Sequence, residues 1–476
     1  MPLSGRENAS GAVSVQQTAT SNGAETITSS TQIGGGFQGS IPGESVPPGA
    51  ITLSLGDAVR RGLQTNLGAV TANYSAQMSA AQRAQQLSYL LPNISANATE
   101  TGTEINLAAY GFKFNLPPGL GFSIPSVVGP FSYFQAQGNF NFPVWDPVLR
   151  RNWQASKDMQ RAALFSAKDA RELVVLAVAG TYLQLLATQA SVESQRAQVE
   201  NARAVNHQAE VRRTAGTNAR IDVMRTLVEL QTQQQRLNAL VAEVRKEKIT
   251  LTRLIGLPLD RDIVLSESLG FPALTVPDAA STIEQALANR QDIKAAQAQI
   301  QAAERALSAA RAERLPSASL NGDYGVSGPN PASTHGIFTV TGSVSVPIWT
   351  GGRVKADIAQ AEAALNQRKA ELADQQGQVE QEVRTALIEE ETAIGQVQLA
   401  EQNRGYANET LRESRDRFRL GVATTVEVVQ AQEQVASAES EYVSSLYSFE
   451  MARLALARAI GETEKQMPDL LKASQP

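Results

Sequence analysis

The sequence predicts an α+β membrane protein, built from long α-helical hairpins and four β-strands, and three observations lead to this class. Residues 354–460 contain no proline and carry apolar residues at seven-residue steps, the pattern of helices that pack side by side. The same pattern occurs about 200 residues earlier, which indicates an internal two-fold repeat. Four short segments alternate apolar and polar residues, which is typical of strands with one apolar face.

The repeat defines the helical hairpins. Gly421 and Gly461 follow Gly216 and Gly256 by 205 residues, and glycine accepts the left-handed conformation that ends a helix. In the second copy the apolar positions of the returning helix are Val428, Val435, Tyr442, Phe449 and Leu456. In the first copy the corresponding positions are Val223, Leu230, Leu237, Val244 and Leu251. Each hairpin is therefore expected to bury a narrow seam at these positions.

Taken in order, the chain begins with residues 1–50, whose Ser, Thr and Gly content predicts disorder, because little apolar surface is available to bury. The first repeat, residues 51–280, comprises a helix (55–90), a β-hairpin (92–145, with a loop over 101–130), a long helical hairpin (148–255) and an irregular connection (256–280). The second repeat, residues 281–461, comprises a helix (282–315), a β-hairpin (316–349) and a long helical hairpin (353–460). Residues 462–476 form a C-terminal tail.

The predicted strands have one small polar face and one apolar face. In residues 134–144, Phe140 and Phe142 alternate with Gln137, Asn139 and Asn141. Four strands leave two open edges, so identical chains must associate: two chains give eight strands with a filled interior, and three give twelve with room for a channel. The polar face suits a wet lumen and the apolar face suits lipid. The aromatic residues at the strand ends, which suit a membrane interface, are Phe131, Tyr133, Trp145 and Trp349.

Composition argues against several other classes of function. The net charge is −5 and charges of both signs are spread along the helices, so no nucleic-acid partner is expected. The chain has no cysteine, and its two histidines, His207 and His335, are far apart in sequence. No catalytic constellation, phosphate loop or metal-ligand spacing is present in the sequence. We therefore expect no enzymatic activity, no cofactor and no bound metal.

The N-terminus lacks the basic start and apolar segment of a secretory signal. No apolar run reaches the length of a membrane-spanning helix, and the longest, residues 173–186, fits a buried helix. Since a membrane barrel requires export, we expect that a signal peptide has been removed from, or is missing from, the given N-terminus.

The order and spacing of several motifs resemble those of the TolC-like outer-membrane efflux proteins from residue 52 onward. The motifs are residues 53–59 (LSLGDAV), 286–293 (ALANRQDI), 306–320 (ALSAARAERLPSASL), 346–352 (VPIWTGG), 417–421 (RFRLG) and 430–432 (QAQ). The resemblance implies a homotrimer with a 12-stranded outer-membrane β-barrel and a helical tunnel in the periplasm. It also implies an exit duct that a periplasmic adaptor protein joins to an inner-membrane pump.

The same resemblance suggests site residues at the turns of the two helical hairpins. Glu427 and Gln430 match positions that narrow the pore, although Thr424 and Glu427 also form a capping-box pattern that would make Glu427 structural. The positions that hold the turns closed in relatives correspond to Phe418 and Ala423, facing Ile221 and Asp222. The expected adaptor contacts lie at Gly216, Thr217, Gly421 and Val422. Arg212, Arg213, Arg417 and Arg419 are expected to complement the helix dipoles.

Two other functions fit parts of the sequence. The exit duct of a type I protein secretion system would use the same architecture. A soluble or surface coiled-coil scaffold would explain the seven-residue steps, but it would not explain alternating strands that end in aromatic residues.

Overall fold

The computed structural model describes residues 15–19, 25–29, 36–43, 49–111, 125–272 and 277–470. The chain divides into two compact units. The first unit comprises Met1–Ala76, Ala163–Ala296 and Glu371–Pro476, and the second comprises Gln77–Ala162 and Gln297–Ala370. The second unit contains the main sheet, and the first contains the turns of both helical hairpins.

The first half of the chain contains the predicted helices and β-hairpin together with short strands that were not predicted. In order, the elements are β1 (Val15–Ala19), β2 (Glu25–Ser29), β3 (Ile51–Leu53), α1 (Leu55–Thr65), α2 (Leu67–Ser88), β4 (Asn93–Asn106), β5 (Val127–Trp145), α3 (Pro147–Thr214), α4 (Arg220–Leu254) and β6 (Ile263–Leu265). Short 3₁₀ turns cover Gly36–Gln38 and Leu107–Tyr110. The second half comprises α5 (Ala279–Asn289), α6 (Gln291–Ala312), β7 (Ser317–Gly328), β8 (His335–Ser345), α7 (Arg353–Arg419), α8 (Thr425–Ile460) and α9 (Thr463–Leu470).

The N-terminal segment is more ordered than predicted. Strands β1 and β2 pair antiparallel, with Val15 opposite Ser29, in a stretch rich in β-branched residues. Residues 36–43 are bound to the first unit: the Ile41 amide donates to the Thr65 carbonyl at 2.9 Å and the Gly43 amide to the Gly256 carbonyl at 2.9 Å. The predicted disorder of residues 1–50 is therefore wrong for these segments, and the rest of that range is outside the described residues.

Each predicted short helix is broken within its first third. The predicted helix over 55–90 divides at Asn66, whose side-chain oxygen accepts from the Gly68 amide and whose amide nitrogen donates to the Phe37 carbonyl at 2.8 Å. The predicted helix over 282–315 divides at Arg290, a 4 % exposed residue. Both break residues have extended backbone torsions. The breaks arise because each side chain bonds to a distant part of the chain.

Three smaller corrections concern the connections. The predicted loop over 101–130 is partly strand, because β4 continues to Asn106 and β5 begins at Val127; residues 112–124 are outside the described part. The predicted irregular connection over 256–280 contains β6, which pairs in parallel with β3. The predicted C-terminal tail contains α9.

The main core of the first unit surrounds α3. Val174, Leu176, Ala179 and Tyr182 are fully buried, together with Ile263 from β6. Of the described helices, only α3 is long and apolar enough to cross a membrane, and 72 % of its apolar window is buried inside the chain. This burial agrees with the predicted core helix over residues 173–186.

The two returning helices differ in what they bury. In α8 the predicted seam residues Val428, Val435, Phe449 and Leu456 are all buried. In α4 only Leu251 of the predicted seam is buried, whereas Thr226, Glu229 and Gln233 are buried although polar. These polar side chains find partners: Thr226 donates to Asn206 at 3.0 Å and Gln233 donates to Glu229 at 2.6 Å. Hydrogen bonding therefore replaces part of the apolar seam in the first hairpin.

The sheet of the second unit has the order β4-β5-β7-β8, and every neighbouring pair is antiparallel. Strands β4 and β8 are the edges, and within the described chain each pairs on one side only. The register places Phe140 between Ile94 and Gly322, and Asn139 between Ser95 and Asp323. Residues of like polarity therefore share a face, as the alternation predicts.

Candidate functional site

The apolar face of the sheet is exposed in the single chain. Its large side chains include Ile94, Tyr324, Phe338 and Val344, which are 73–78 % exposed. A contiguous apolar surface of this kind is unusual on a monomeric soluble protein. We therefore expect other apolar groups to cover this face in the native protein.

The opposite face is lined with amides and hydroxyls that bond across the strands. Asn139 donates to Asn97 at 2.6 Å, Gln137 donates to Asp323 at 3.5 Å, and the hydroxyls of Ser319 and Ser343 are 2.8 Å apart. Asn141 also donates to Asn321. None of the four strands of this sheet contains lysine or arginine. The face is hydrophilic without any positive charge, which suits contact with water.

Aromatic residues lie where the strands end. Trp145 closes β5 and is 53 % exposed, and Trp349, four residues after β8, is 88 % exposed. Phe131 and Tyr133, near the beginning of β5, are also exposed. Aromatic rings near the two ends of such strands are typical of proteins that lie in a lipid bilayer, although the register places Phe131 and Tyr133 on the face of Gln137.

The turns of the two helical hairpins lie in the first unit and are closed by the same motif. We call residues 212–222 the first tip and residues 417–427 the second tip. In the first tip, Gly216 has φ +75° and the Thr217 amide donates to the Arg212 carbonyl at 2.9 Å. In the second tip, Gly421 has φ +80° and the Val422 amide donates to the Arg417 carbonyl at 3.0 Å. Both tips therefore have the glycine termination predicted from the sequence.

The four residues predicted to hold the tips closed lie in different surroundings. Phe418 is 2 % exposed and forms a buried cluster with Val205, Leu411, Val428, Ala431 and Val435, against which Ala423 packs. Ile221, in contrast, is 58 % exposed. Asp222 lies 3.6 Å from Arg225 of its own helix. Phe418 and Ala423 thus belong to one apolar cluster, and Asp222 pairs locally.

Arg212 connects the two tips, a contact that the sequence analysis missed. Its Nη2 donates to the carbonyl of Phe418 and, at 3.1 Å, to the carbonyl of Arg419. Its guanidinium carbon is 4.1 Å from the centroid of the Phe418 ring. The position of Arg212 near the end of α3 predicts a role at the dipole of its own helix, but the side chain instead caps the C-terminus of α7, about 200 residues away.

The pore candidates lie at the start of α8. Thr424 is the N-cap, and it forms a complete capping box with Glu427: each side chain accepts from the backbone amide of the other residue. The second carboxylate oxygen of Glu427 is 3.7 Å from Arg417. Glu427 remains partly exposed and Gln430 is exposed. Glu427 therefore caps the start of α8 in this structure, and its side chain is still accessible to solvent.

The proposed adaptor contacts are accessible in the single chain. Gly216, Thr217, Gly421 and Val422 are all exposed. Val422 is 66 % exposed and its neighbour Leu420 is 75 % exposed, so the second tip presents apolar side chains to its surroundings. The first tip presents Thr217 at the position that corresponds to Val422.

Two carboxylates of the first unit, one half-buried and one fully buried, lie away from the tips. Glu247 accepts from Thr188 at 3.0 Å and from Gln184 at 3.2 Å, and burial raises the pKa of its carboxyl to about 7 despite these bonds. Glu450 is fully buried beside Arg453, 3.0 Å away, and burial raises its pKa to about 7 against the effect of that arginine. The described residues include no group of three or more His, Asp or Glu side chains placed to hold a metal ion.

Comparison with known proteins identifies relatives of this arrangement. A family model described as outer membrane efflux protein matches residues 129–257 and 282–462. The pyoverdine export outer membrane protein OpmQ of Pseudomonas putida is 26 % identical over 326 residues, which are 65 % of this chain and 67 % of that protein.

Solved structures share the fold at lower sequence identity. The CmeC outer membrane channel of Campylobacter jejuni superposes with a TM-score of 0.74 at 17 % identity, covering 93 % of this chain and 96 % of that chain. The open state of the MtrE outer membrane channel of Neisseria gonorrhoeae superposes with a TM-score of 0.73 at 17 % identity, covering 98 % of both chains.

Proposed function

Because this chain belongs to the outer membrane efflux protein family, we propose that it is the exit duct of a tripartite efflux system. In this role it passes small molecules from an inner-membrane pump, through a periplasmic adaptor protein, across the periplasm and the outer membrane. The observation that carries the proposal is the four-stranded sheet, with one exposed apolar face, one polar face without lysine or arginine, and two unpaired edges.

A homotrimer satisfies all three features of the sheet. Three chains supply 12 strands, which pair every edge and enclose a lumen wide enough for water. The apolar face, with Ile94 and Val344, then meets lipid, and the polar face, with Asn139 and Asn141, lines the channel. Closed symmetry of identical chains is the common way to remove exposed edges.

The two halves of the chain are proposed to be copies of one ancestral unit. The glycines at 216 and 256 recur at 421 and 461, all four with positive φ, and both tips carry the same hydrogen bonds at that spacing. Two copies of a unit in three chains give a barrel with six similar hairpins, which suits a tunnel of near-regular cross-section.

The outer membrane location of the family sets aside the soluble coiled-coil scaffold. Within the duct, we assign the periplasmic tunnel to the helical hairpins. Glu427 and Gln430 are proposed to line its narrowest part, and Gly216, Thr217, Gly421 and Val422 are proposed to contact the adaptor. Exposure of the apolar Val422 and Leu420 supports a partner at the second tip.

Efflux in whole cells tests the proposal. A strain that lacks this chain should accumulate a fluorescent dye that an inner-membrane pump exports, and the wild-type chain should restore the low level. The variant Val422→Asp places a charge at a proposed adaptor contact. We expect this variant to reach the membrane but to fail to restore efflux. If dye accumulation is the same with and without the wild-type chain, and the strain that lacks the chain no longer releases a secreted protein into the medium, the duct would instead be assigned to type I protein secretion.

A further inference from the structure

The C-terminus of α7 is completed by a side chain from the other hairpin. A helix leaves its last four carbonyls without partners in the helix, and these need donors from elsewhere. At the end of α7 the Leu420 amide donates to the carbonyl of residue 416, the Val422 amide to that of residue 417, and the Gly421 amide to that of residue 418, each at 3.0 Å. The remaining carbonyl, that of Arg419, accepts from Arg212 of α3 at 3.1 Å.

Arg212 is held in this position by two kinds of contact. Besides the Arg419 carbonyl, its Nη2 binds the Phe418 carbonyl, so one nitrogen bridges two peptide groups at the negative end of the helix. Its guanidinium also stacks on the Phe418 ring, which is 2 % exposed and fixed by Val205 and Val428. A planar guanidinium makes both contacts at once, whereas an ammonium makes only part of them.

The corresponding arginine of the second copy behaves differently. Arg417 occupies the position 205 residues after Arg212, yet it lies 3.7 Å from Glu427 of its own hairpin. The difference follows from two substitutions between the copies: the position of Phe418 is Arg213 in the first copy, and the position of Glu427 is Asp222. Only one of the two equivalent arginines therefore links the hairpins, and the link runs from the first tip to the second.

From these contacts we infer that Arg212 is a latch within the protomer, which holds the second tip against the first until the duct opens. The role of this latch in gating rests on the proposed function, whereas the contact between the two tips does not. It uses backbone carbonyls as acceptors, so no side-chain substitution on the second tip removes them. Separation of the tips requires Arg212 to leave both the carbonyls and the Phe418 ring.

A distance measurement within one chain tests the latch directly. The chain contains no cysteine, so Ala215→Cys and Leu420→Cys introduce two unique sites at equivalent, exposed positions of the two turns. Spin labels on these sites, in full-length chains diluted with unlabelled chains, report the distance between the tips. In the otherwise unaltered chain we expect one dominant, narrow distance population and a minor, longer one.

Arg212→Ala should increase the ratio of the longer-distance to the shorter-distance population about tenfold, which corresponds to about 1.4 kcal/mol. Arg212→Lys should give an intermediate share, because the ammonium keeps the charge but loses the stacked, planar geometry. Arg213→Ala, which removes the exposed neighbouring arginine, should leave the distribution unchanged. Phe418→Leu provides a second route if Arg212→Ala does not fold: it removes the ring and keeps the carbonyl, and it too should increase the longer population.

An unchanged distance distribution in both Arg212→Ala and Phe418→Leu would overturn the latch. A planar-bilayer recording separates this failure from failure of the proposed function. If the duct exists, Arg212→Ala should raise the mean current through it, while Arg213→Ala should not. Complete lack of current from the wild-type chain would contradict the duct, whatever the spin-label distances show.

Discussion

Arg290 and Asp292 form a doubly bonded ion pair inside the first unit, at the break between α5 and α6. The Arg290 Nη2 is 2.7 Å and its Nε 3.1 Å from the carboxylate oxygens of Asp292, and its Nη1 also donates to Glu382. Burial by itself would raise the pKa of Asp292, but the Arg290 guanidinium outweighs it and lowers that pKa to about 2. Through the charged pair of Arg290 and Glu382, the break between α5 and α6 is therefore held against α7.

Removal of Arg290 should strongly destabilise the first unit. Arg290→Met leaves Asp292 buried without its partner, and breaking one side of a buried pair costs about 3–5 kcal/mol. Arg290→Lys should also be destabilising, because lysine does not reproduce the two-bonded geometry. Thermal unfolding of the detergent-extracted protein measures both. The control is Arg305→Met, which removes an exposed arginine 3.9 Å from Asp158 and should cost under about 1 kcal/mol. Equal losses in the two methionine variants would contradict this role of Arg290.

The helix breaks show where sequence periodicity is insufficient. Residues 282–315 have the composition and period of one continuous helix, and Arg290 is a good helix former. The break depends on Glu382, 92 residues further along the chain, and the break at Asn66 depends on Phe37. Local propensity contains no information on such partners. In contrast, the strand faces and the glycine turns depend on local alternation and backbone torsion, and the sequence predicted both.

Glu247→Gln should change the pH dependence of stability. The pKa of Glu247 rises from 4.5 to about 7 on folding, mainly through burial. Between these values the folded chain holds a proton that the unfolded chain has lost, so the free energy of unfolding falls as pH rises through this window and levels off above it. The shift corresponds to on the order of 3 kcal/mol.

Melting temperatures at pH 4.5 and pH 8 test this difference. The glutamine variant should lose less stability than wild type between the two pH values, since it has no proton to release. Glu193→Gln, which alters an exposed carboxylate of α3, should match wild type. If the Glu247→Gln and wild-type curves run parallel, Glu247 does not retain its proton in the fold.

Adjacent residues at the middle of β8 test which face of the sheet meets lipid. Val340 is 60 % exposed on the apolar face, and Thr341 lies on the polar face, opposite Asn321. If the middle of β8 lies near the bilayer midplane, Val340→Lys should cost about 2–4 kcal/mol and reduce assembly in the outer membrane. Thr341→Lys should be tolerated, because the proposed lumen would keep its charge in water. Membrane fractionation measures both variants, and normal assembly of Val340→Lys would show that the lipid face is misassigned.

Glu427 is expected to act in the pore as well as in the helix cap. In the proposed trimer, three Glu427 carboxylates would meet at one constriction and their negative charge would attract cations; the neutral Gln430 would add no second ring. Glu427→Gln should weaken cation selectivity in bilayer recordings and leave assembly intact, since glutamine also completes a capping box. If selectivity is unchanged in Glu427→Gln and only Glu427→Ala loses stability, the residue belongs to the helix cap alone.

The tip contacts were harder to predict than the tip geometry. The glycine terminations at residues 216 and 421 follow from residue type, and both have positive φ. The contact between Arg212 and Phe418 joins helices 206 residues apart, and nothing in the local sequence of either tip indicates it. The family resemblance placed Phe418 among the residues expected to hold the turns closed, but it did not indicate the contact of its ring with Arg212 of the first tip.

The central claim is that three chains close one barrel, and the mass of the intact, detergent-extracted complex tests it most directly. The described chain provides four strands with unpaired edges at β4 and β8. We predict a single species of three times the chain mass, which dissociates only on unfolding. A stable, folded monomer under the same conditions would contradict the account, because a four-stranded sheet has too few strands to form a closed barrel.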